Sequence, residues 1–280
     1  EMHMGFIRSF DSSKIKKLSA VNSELFAQLK TDTYAGLVFP AVRKGEVHFY
    51  YKGGCLYKFN GVSFARDKAY GAYSDRTDGL DEYEKAKRQN ENKFTNTGGS
   101  AKERQLLDRL NSHTFNRNCK TKVVVLDIEI RLNGTVGENK KCDMVLLNTE
   151  TRQIMFVEGK VFSDNRVNRT VGNSPEVIEQ VNIYTAGLAE QAQTIVTQYA
   201  QHIRIINDLF GTSYEADISL ITTAKLLVYE TPKNPTNNGR YSIEAINTAL
   251  GVDNVMWVTS GDEPGIDEIW DALKKGCICK

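Results

Sequence analysis

The stretch KCDMVLLNTETRQIMFVEGK, residues 141–160, decides the fold that the sequence predicts. Two apolar runs, 144–147 and 154–157, flank a polar segment whose composition is typical of a turn. A loop of about four residues between them predicts an antiparallel hairpin in which every facing pair is apolar. The predicted pairs are Leu147 with Ile154, Leu146 with Met155, Val145 with Phe156, and Met144 with Val157. The same register places Asp143 opposite Glu158.

Three charged residues share one face of this predicted hairpin. Asp143 and Glu158 would repel each other across the strands unless a cation lies between them. Lys160 is two residues beyond Glu158, so strand alternation puts its side chain on the same face. Because carboxylate oxygens are hard ligands, the pattern predicts a Mg²⁺ or Mn²⁺ site. A surface hairpin with charged ends is the alternative interpretation.

Composition is that of an ordinary globular chain. The 280 residues include 36 Lys and Arg against 35 Asp and Glu, and the net charge of +1 gives no global electrostatic case for nucleic-acid binding. The first ten residues lack the apolar core of a signal peptide, and the apolar runs are shorter than a membrane span. The five cysteines are odd in number and show no CxxC spacing, which predicts a reduced, cytoplasmic protein.

Three parts are predicted along the chain. Residues 1–72 form an accessory region, in which a helical pattern over 1–30 precedes a three-stranded β-meander within 37–65. Residues 73–100 form a polar linker that includes a charged helix, and residues 101–280 form the main domain. The meander is rich in aromatic side chains, which predicts core packing or, alternatively, a base-stacking surface. These side chains are Phe49, Tyr50, Tyr51, Tyr57, Phe59 and Phe64.

The main domain is predicted to begin with helix 101–112. Ser100 is its expected N-cap, and Glu103 completes a capping box. The strand that follows, 123–132, is expected to alternate between an apolar and a polar face. The apolar face would carry Leu126, Ile128, Ile130 and Leu132, and the polar face Asp127, Glu129 and Arg131.

A long helix is predicted after the hairpin. Ser174 is its expected N-cap, Pro175 its first residue and Leu209 its approximate end, with a break near Ala186–Gly187. Two strands and a closing helix are expected beyond it, over 218–230, 254–260 and 265–275. The order is therefore helix, three strands, helix, strand, which predicts an α/β fold.

This order, with Asp143 and the sequence Glu158-Gly159-Lys160, resembles the PD-(D/E)XK nuclease superfamily. The sequence from Gln180 to Tyr184 is similar to the QxxxY element of its RecB-like and lambda-exonuclease-like branch, and these two residues share one helical face. The resemblance covers roughly residues 100–230. It implies a mixed sheet in a restriction-endonuclease-like αβββαβ core, with the meander as an N-terminal extension. Cys142 stands where the family frequently has Pro or Gly.

The resemblance implies Mg²⁺- or Mn²⁺-dependent hydrolysis of phosphodiester bonds, with DNA as the expected substrate and RNA as an alternative. Asp143, Glu158 and the Gly159 carbonyl would hold the metal ion. Lys160 would orient or deprotonate the attacking water, or neutralise charge in the transition state.

The resemblance also extends to residues outside the hairpin. Gln180 and Tyr184 would contact the scissile phosphate or brace the metal site; ordinary helix-surface positions are their alternative. Glu103 best matches a further acid that the family often carries on the preceding helix, although the capping box explains it equally well. Glu129, on the polar face of the first strand, is the second choice for that acid.

Basic residues near the acids in sequence are expected to contact the phosphate backbone, with solvated loop charges as the alternative. They include Arg131, Lys141, Arg166 and Arg169. Some nucleases of this branch carry a four-cysteine iron–sulfur cluster, but the one-plus-three cysteine arrangement is missing here, so no cluster is predicted. The sequence contains no Walker A motif, so no nucleotide is predicted either.

Two non-enzymatic interpretations stay open. The first is a non-catalytic module that binds nucleic acid or protein on a nuclease-like fold, because a fold does not guarantee an activity. The second is an interaction protein whose N-terminal region binds a protein partner or a second copy of the chain. An exposed apolar patch on residues 46–65 would favour the second interpretation.

Overall fold

A computed structural model describes residues 23–66, 80–94, 99–112, 114–116, 119–132 and 141–275. These residues contain seven α-helices and ten strands, so the mixed α/β class is confirmed. Contacts between Cα atoms divide the chain into two units. The meander unit comprises Ile7–Lys120 and Thr197–Asp217; the hairpin unit comprises Glu1–Phe6, Thr121–Val196 and Ile218–Lys280. In this division residues 101–120 group with the meander unit, whereas the sequence placed them in the main domain.

The meander unit contains a four-stranded antiparallel sheet in the order β1-β2-β3-β4. Its strands are β1 Val38–Arg43, β2 Glu46–Tyr51, β3 Gly54–Phe59 and β4 Phe64–Arg66. The sequence predicted three strands, and β1 is the additional one. It contains Pro40, which lacks an N–H group, and a sheet tolerates proline at an edge strand such as this one.

The aromatic side chains of the meander form its core. All six are buried, with Tyr50 the most exposed at 8%. The core interpretation is therefore confirmed, and the base-stacking interpretation is wrong for these side chains. Within residues 46–65, Val62 is the exposed large hydrophobic residue, so this segment does not form the apolar patch that would favour the interaction-protein interpretation.

Three helices belong to the N-terminal half of the chain. They are α1 Ser23–Tyr34, α2 Leu80–Phe94 and α3 Gly99–Asn111; the earlier part of the helical pattern predicted over 1–30 lies outside the described residues. Ser100 lies inside α3, so it is not the N-cap that was predicted. Helix α2 is packed rather than merely exposed: Tyr83 is fully buried, and its hydroxyl donates a 2.7 Å hydrogen bond to Asp32.

The hairpin unit contains a six-stranded mixed sheet in the order β10-β9-β7-β6-β5, with β8 paired to β7. Strands β5, β6 and β7 are antiparallel, whereas β8 and β9 run parallel to β7, and β10 runs parallel to β9. The strands are β5 Val123–Ile130, β6 Cys142–Asn148, β7 Gln153–Val161, β8 Ser219–Leu220, β9 Lys225–Thr231 and β10 Val255–Thr259.

Strand β5 departs from the predicted alternation. Val125 faces Leu146 while Asp127 faces Val145, so Leu126 is an extra residue in a β-bulge. Residues on both faces of the strand are buried, and Asp127 is 0% exposed. The predicted polar face is therefore buried at Asp127, and the bulge breaks the simple alternation on which that face was based.

Four helices complete the described chain: α4 Glu176–Glu190, α5 Ala192–Phe210, α6 Asn237–Leu250 and α7 Ile266–Lys274. Pro175, not Ser174, is the N-cap of α4, because its backbone is extended while its carbonyl accepts the first helical bond from Ile178. The break predicted at Ala186–Gly187 lies instead at Gln191. Gly187 is buried within the helix. No described helix combines the length and apolarity needed to cross a membrane.

Helix α6 was not predicted. Its N-cap is Thr236, whose hydroxyl accepts a hydrogen bond from the Gly239 amide. Gly239 packs closely against Phe162, which follows β7 directly: a Cβ at this glycine would lie 3.1 Å from the Phe162 ring and 3.0 Å from Pro235. The absence of a side chain at Gly239 therefore allows α6 to pack at the end of β7.

Candidate metal centre

The β6–β7 hairpin has the register that the sequence predicts. All four facing pairs from Leu147–Ile154 to Met144–Val157 are present, and the loop between the strands is the four residues Thr149–Arg152. Asn148 stabilises this loop, since its side-chain oxygen accepts hydrogen bonds from the amides of the two residues after Thr149. The hairpin prediction is therefore confirmed at the level of individual pairs.

Beyond the Met144–Val157 pair, the side chain of Asp143, rather than the backbone of β6, forms a hydrogen bond with β7. The Gly159 amide donates a 2.8 Å hydrogen bond to Asp143 Oδ2 instead of to a carbonyl of β6. The Gly159 carbonyl accepts a 2.7 Å hydrogen bond from Lys160 Nζ. The end of the hairpin thus presents a carboxylate and a backbone carbonyl to the same lysine.

Lys160 forms ion pairs with both predicted acids, Asp143 and Glu158. Its Nζ lies 3.5 Å from Asp143 Oδ2 and is in contact with Glu158 Oε1. The Lys160 and Glu158 side chains are 2% and 1% exposed, whereas Asp143 is 21% exposed. Three oxygens, from Asp143, Glu158 and Gly159, therefore lie close to one cationic group, and Asp143 is the most exposed of the three charged side chains.

Helix α4 brings the two QxxxY residues to the same place. Gln180 Nε2 donates hydrogen bonds to Glu158 Oε1 at 2.6 Å and to the Tyr184 hydroxyl oxygen at 2.9 Å. Both side chains are buried, so the helix-surface interpretation is wrong for them. Burial, with the negative charge of Glu158 adding to it, raises the pKa of Tyr184 above its usual range, so the hydroxyl stays protonated. We call these six residues, Asp143, Glu158, Gly159, Lys160, Gln180 and Tyr184, the acid–lysine cluster.

Cys142 lies beside the cluster in a structural role. It is fully buried, and its thiol donates to the Val157 carbonyl at 3.4 Å. Burial raises the pKa of this thiol well above its usual range, and the negative charges of Glu158 and Asp143 act in the same direction. Cys142 is therefore a protonated core residue.

The two candidates for a further acid are not among the six residues of the acid–lysine cluster. Glu103 is a half-buried residue of α3 in the meander unit. Glu129 lies across from Asp143, between the pairs Ile128–Met144 and Ile130–Cys142. Its backbone φ is +50°, which is unusual for a non-glycine residue.

Across the described ranges, no group of three or more His, Cys, Asp and Glu side chains forms a candidate metal site. The acid–lysine cluster therefore offers two carboxylates and one carbonyl.

Asp127 is an acid that the sequence analysis did not select. It is fully buried and faces Val145, which shares its sheet face with Asp143 by strand alternation. Its Oδ1 accepts a 2.8 Å hydrogen bond from the Ile128 amide. Its position inside the apolar run VVVLDIEI is the signal that could have indicated a buried carboxylate.

Two of the predicted phosphate contacts lie beside the ends of β5 and β6. Lys141, two residues before Asp143, donates a 2.9 Å hydrogen bond to Glu129 in an exposed ion pair. Arg131, just after β5, is exposed. Exposed ion pairs of this kind stabilise a fold little, so Lys141 can exchange Glu129 for another anion.

The other two predicted phosphate contacts are paired within the loop between β7 and α4. The Arg166 guanidinium and amide bind Asp164, and Arg169 contacts Glu176. Burial alone would raise the pKa of Asp164, but the hydrogen bonds from Arg166 outweigh it and lower that pKa. Both arginines therefore already have a carboxylate partner.

Models of known protein families give no match to this chain, and neither do curated proteins. Function is therefore inferred from the chemistry of the acid–lysine cluster. Its carboxylates and carbonyl are hard oxygen donors, which suit Mg²⁺ or Mn²⁺ rather than a softer ion. Its lysine, amide and hydroxyl can hold water or a phosphoryl oxygen by hydrogen bonds.

Proposed function

We propose that the chain is a Mg²⁺- or Mn²⁺-dependent nuclease of the PD-(D/E)XK superfamily, in the QxxxY branch, and that it hydrolyses phosphodiester bonds of DNA. The contact of Lys160 with both Asp143 and Glu158 is the observation that carries the proposal. Within the hairpin unit, the antiparallel strands β5, β6 and β7 are followed by α4, and β9 runs parallel to β7; this arrangement supports the βββαβ part of such a core.

The residues of the cluster fit a divalent ion by the chemistry of their donors. Asp143 Oδ2, Glu158 Oε1 and the Gly159 carbonyl all lie close to the Lys160 ammonium, so they already converge on a point of positive charge. With Lys160 protonated and both acids ionised, the three side chains sum to one negative charge, which a divalent ion would offset. Such an ion, when bound, polarises a phosphoryl oxygen and lowers the pKa of its water.

The protein side chains have separate tasks in this proposal. Gln180 fixes the orientation of Glu158, because its amide holds Oε1 from the side of α4. Tyr184 holds that amide in turn, since its hydroxyl oxygen accepts the second hydrogen bond. Lys160 orients the attacking water or neutralises the charge that develops on the phosphoryl oxygens. The partial exposure of Asp143 gives the phosphodiester its line of approach.

Cleavage of linear, nicked and single-stranded DNA in Mg²⁺, in Mn²⁺ and in EDTA tests the proposal. We expect metal-dependent cleavage, with losses of about 100-fold or more in Asp143→Asn, Glu158→Gln and Lys160→Ala, because each variant removes a charge from the cluster. Glu150→Gln, in the loop of the same hairpin, is the matched control and should cleave normally.

Two results would contradict the proposal. Unchanged cleavage in Asp143→Asn and Lys160→Ala would remove the cluster from the chemistry. DNA binding without cleavage in either metal would favour the non-catalytic interpretation instead.

A further inference from the structure

The two units of the chain differ in charge. The meander unit carries 22 Lys and Arg against 16 Asp and Glu, a net charge of +6, whereas the hairpin unit carries 14 against 19, a net charge of −5. Three of the cations expected to bind phosphate in the hairpin unit are paired with carboxylates: Lys141, Arg166 and Arg169. Because a nucleic-acid backbone is attracted to basic surfaces, its main electrostatic attraction is to the meander unit.

Three basic residues meet on one face of the meander sheet. His48 of β2 lies directly opposite Lys58 of β3 and Ala41 of β1, and Arg43 shares the Ala41 face because it is two residues further along β1. The Arg43 guanidinium lies 5.9 Å from the centroid of the Tyr50 ring, and the His48 ring lies 6.3 Å from it. We call Arg43, His48, Tyr50 and Lys58 the basic meander face.

The charges of this face act on one another. Burial lowers the pKa of His48, and the positive charges of Arg43 and Lys58 lower it further, although the hydrogen bond with Glu46 opposes them. Like charges on adjacent strands repel, and the carboxylate of Glu46, directly opposite Arg43 in the register of β1 and β2, offsets part of that repulsion. Glu46 contributes one carboxylate, 2.7 Å from His48 Nε2. The face therefore combines two permanent cations, a titratable third, one carboxylate and a buried aromatic ring.

We propose that the basic meander face binds the phosphodiester backbone of the DNA substrate through Arg43 and Lys58, with His48 gaining a proton as the phosphate binds. This inference rests on the proposed nuclease function for the identity of the substrate. Side chains that contact phosphates give affinity and position without reading sequence, so the face supplies non-specific binding. Arg43 stacked over Tyr50 is held in place by its cation–π contact.

Binding of a short fluorescent duplex to the full chain in EDTA tests this inference by anisotropy. We expect Arg43→Gln with Lys58→Gln to weaken binding about 10-fold at 0.1 M salt, and to reduce the slope of log affinity against log salt by about two, one for each lost phosphate contact. The matched control, Lys85→Gln with Arg88→Gln on α2, makes the same charge change at exposed positions and should alter affinity less than about twofold. Thermal denaturation checks that both double variants fold.

The pH dependence gives an independent readout. Because a bound phosphate favours protonated His48, affinity should rise as the pH falls from 8 to about 6, and His48→Gln should remove this dependence. The charged groups that act on His48 are Arg43, Glu46 and Lys58. Unchanged affinity in the Arg43/Lys58 double variant, or equal losses in the two double variants, would overturn the inference.

Cleavage assays on the same variants separate the two proposals. Metal-dependent cleavage that does not depend on the basic meander face would overturn only this inference. Binding through the face without cleavage by the unmodified chain would overturn only the nuclease proposal.

Discussion

The Gln180 side-chain amide donates a 2.6 Å hydrogen bond to the buried carboxylate of Glu158. The same nitrogen also donates a hydrogen bond to the hydroxyl of Tyr184, one helical turn away. Helix α4 therefore fixes the Glu158 carboxylate through the Gln180 amide, and Tyr184 fixes the position of that amide. Partners of this kind orient the groups that perform the chemistry and are often nearly as important as those groups. Gln180 is therefore a positioning residue in the proposed site.

Replacing Gln180 with Ala should lower kcat by about 10- to 100-fold while KM changes little, because Glu158 loses its orienting donor but the DNA contacts remain. Steady-state cleavage kinetics measure the two constants separately. Asn182→Ala, at an exposed position of α4, is the control and should retain full activity. A rise in KM alone would assign Gln180 to substrate binding.

Replacing Lys160 with Met should destabilise the metal-free protein by about 3 to 5 kcal/mol, because it leaves the buried Glu158 carboxylate without its ammonium partner. Added Mg²⁺ should recover more stability in this variant than in the unmodified chain, since the ion would replace the lost positive charge. Thermal denaturation with and without Mg²⁺ tests both statements. Lys141→Met, which breaks an exposed pair, should show neither effect. If Mg²⁺ raises the melting temperature of the unmodified chain and of both variants by the same amount, that result would argue against a metal at this cluster.

Replacing Gly239 with Ala should destabilise the hairpin unit by about 1 to 3 kcal/mol, because the new methyl group would overlap Phe162 and Pro235. Chemical denaturation measures the change. A second substitution, Phe162→Leu, removes part of the ring, so the double variant should lose less than the two single variants combined. If the losses of unfolding free energy in the two single variants add up to the loss in the double variant, the methyl group at position 239 does not clash with the Phe162 ring.

Stability should also depend on the ionisation of Asp108. Burial raises the pKa of this carboxyl to about 6, although Lys52 and the Gly53 amide oppose the shift. A carboxyl whose folded pKa is raised favours the fold while it is protonated, and that contribution is lost as the pH rises through about 6. Asp108→Asn keeps an oxygen for the Gly53 amide and should be more stable than the unmodified chain by about 2 to 3 kcal/mol at pH 7.5, with no gain at pH 4.

Calorimetric denaturation at the two pH values checks the Asp108 prediction. Asp81→Asn on the exposed side of α2 is the control, and it should show no difference between the two pH values beyond that of the unmodified chain. A gain of equal size at pH 4 and pH 7.5 would show that ionisation of Asp108 is not the cause.

The part of the site that lies on one hairpin could be predicted residue by residue. Its register depends on a short loop and on the apolar pairs beside that loop, which are all local in sequence. The four-residue spacing of Gln180 and Tyr184 predicted a shared helical face, and the structure places the two side chains in direct contact.

The errors arose where packing between distant segments decides the structure. The β5 bulge at Leu126 inserts a residue that alternation cannot anticipate, and it carries Asp127 into the core. Helix α6 begins in the turn-like sequence PTNNG, and its packing depends on Phe162, far away in sequence. Gly187 suggested a helix break, but it lies buried inside the continuous helix α4.

The location of three charged groups on a single hairpin also affects the order in which the site forms during folding. Closing a four-residue loop costs little chain entropy, and isolated hairpins form within roughly 1–10 μs, so we expect Asp143, Glu158 and Lys160 to meet early. Gln180 and Tyr184 arrive only when α4 packs on the sheet. The hairpin alone would therefore hold the charges close together without the amide that orients them, and the proposed site would be complete only once α4 has docked.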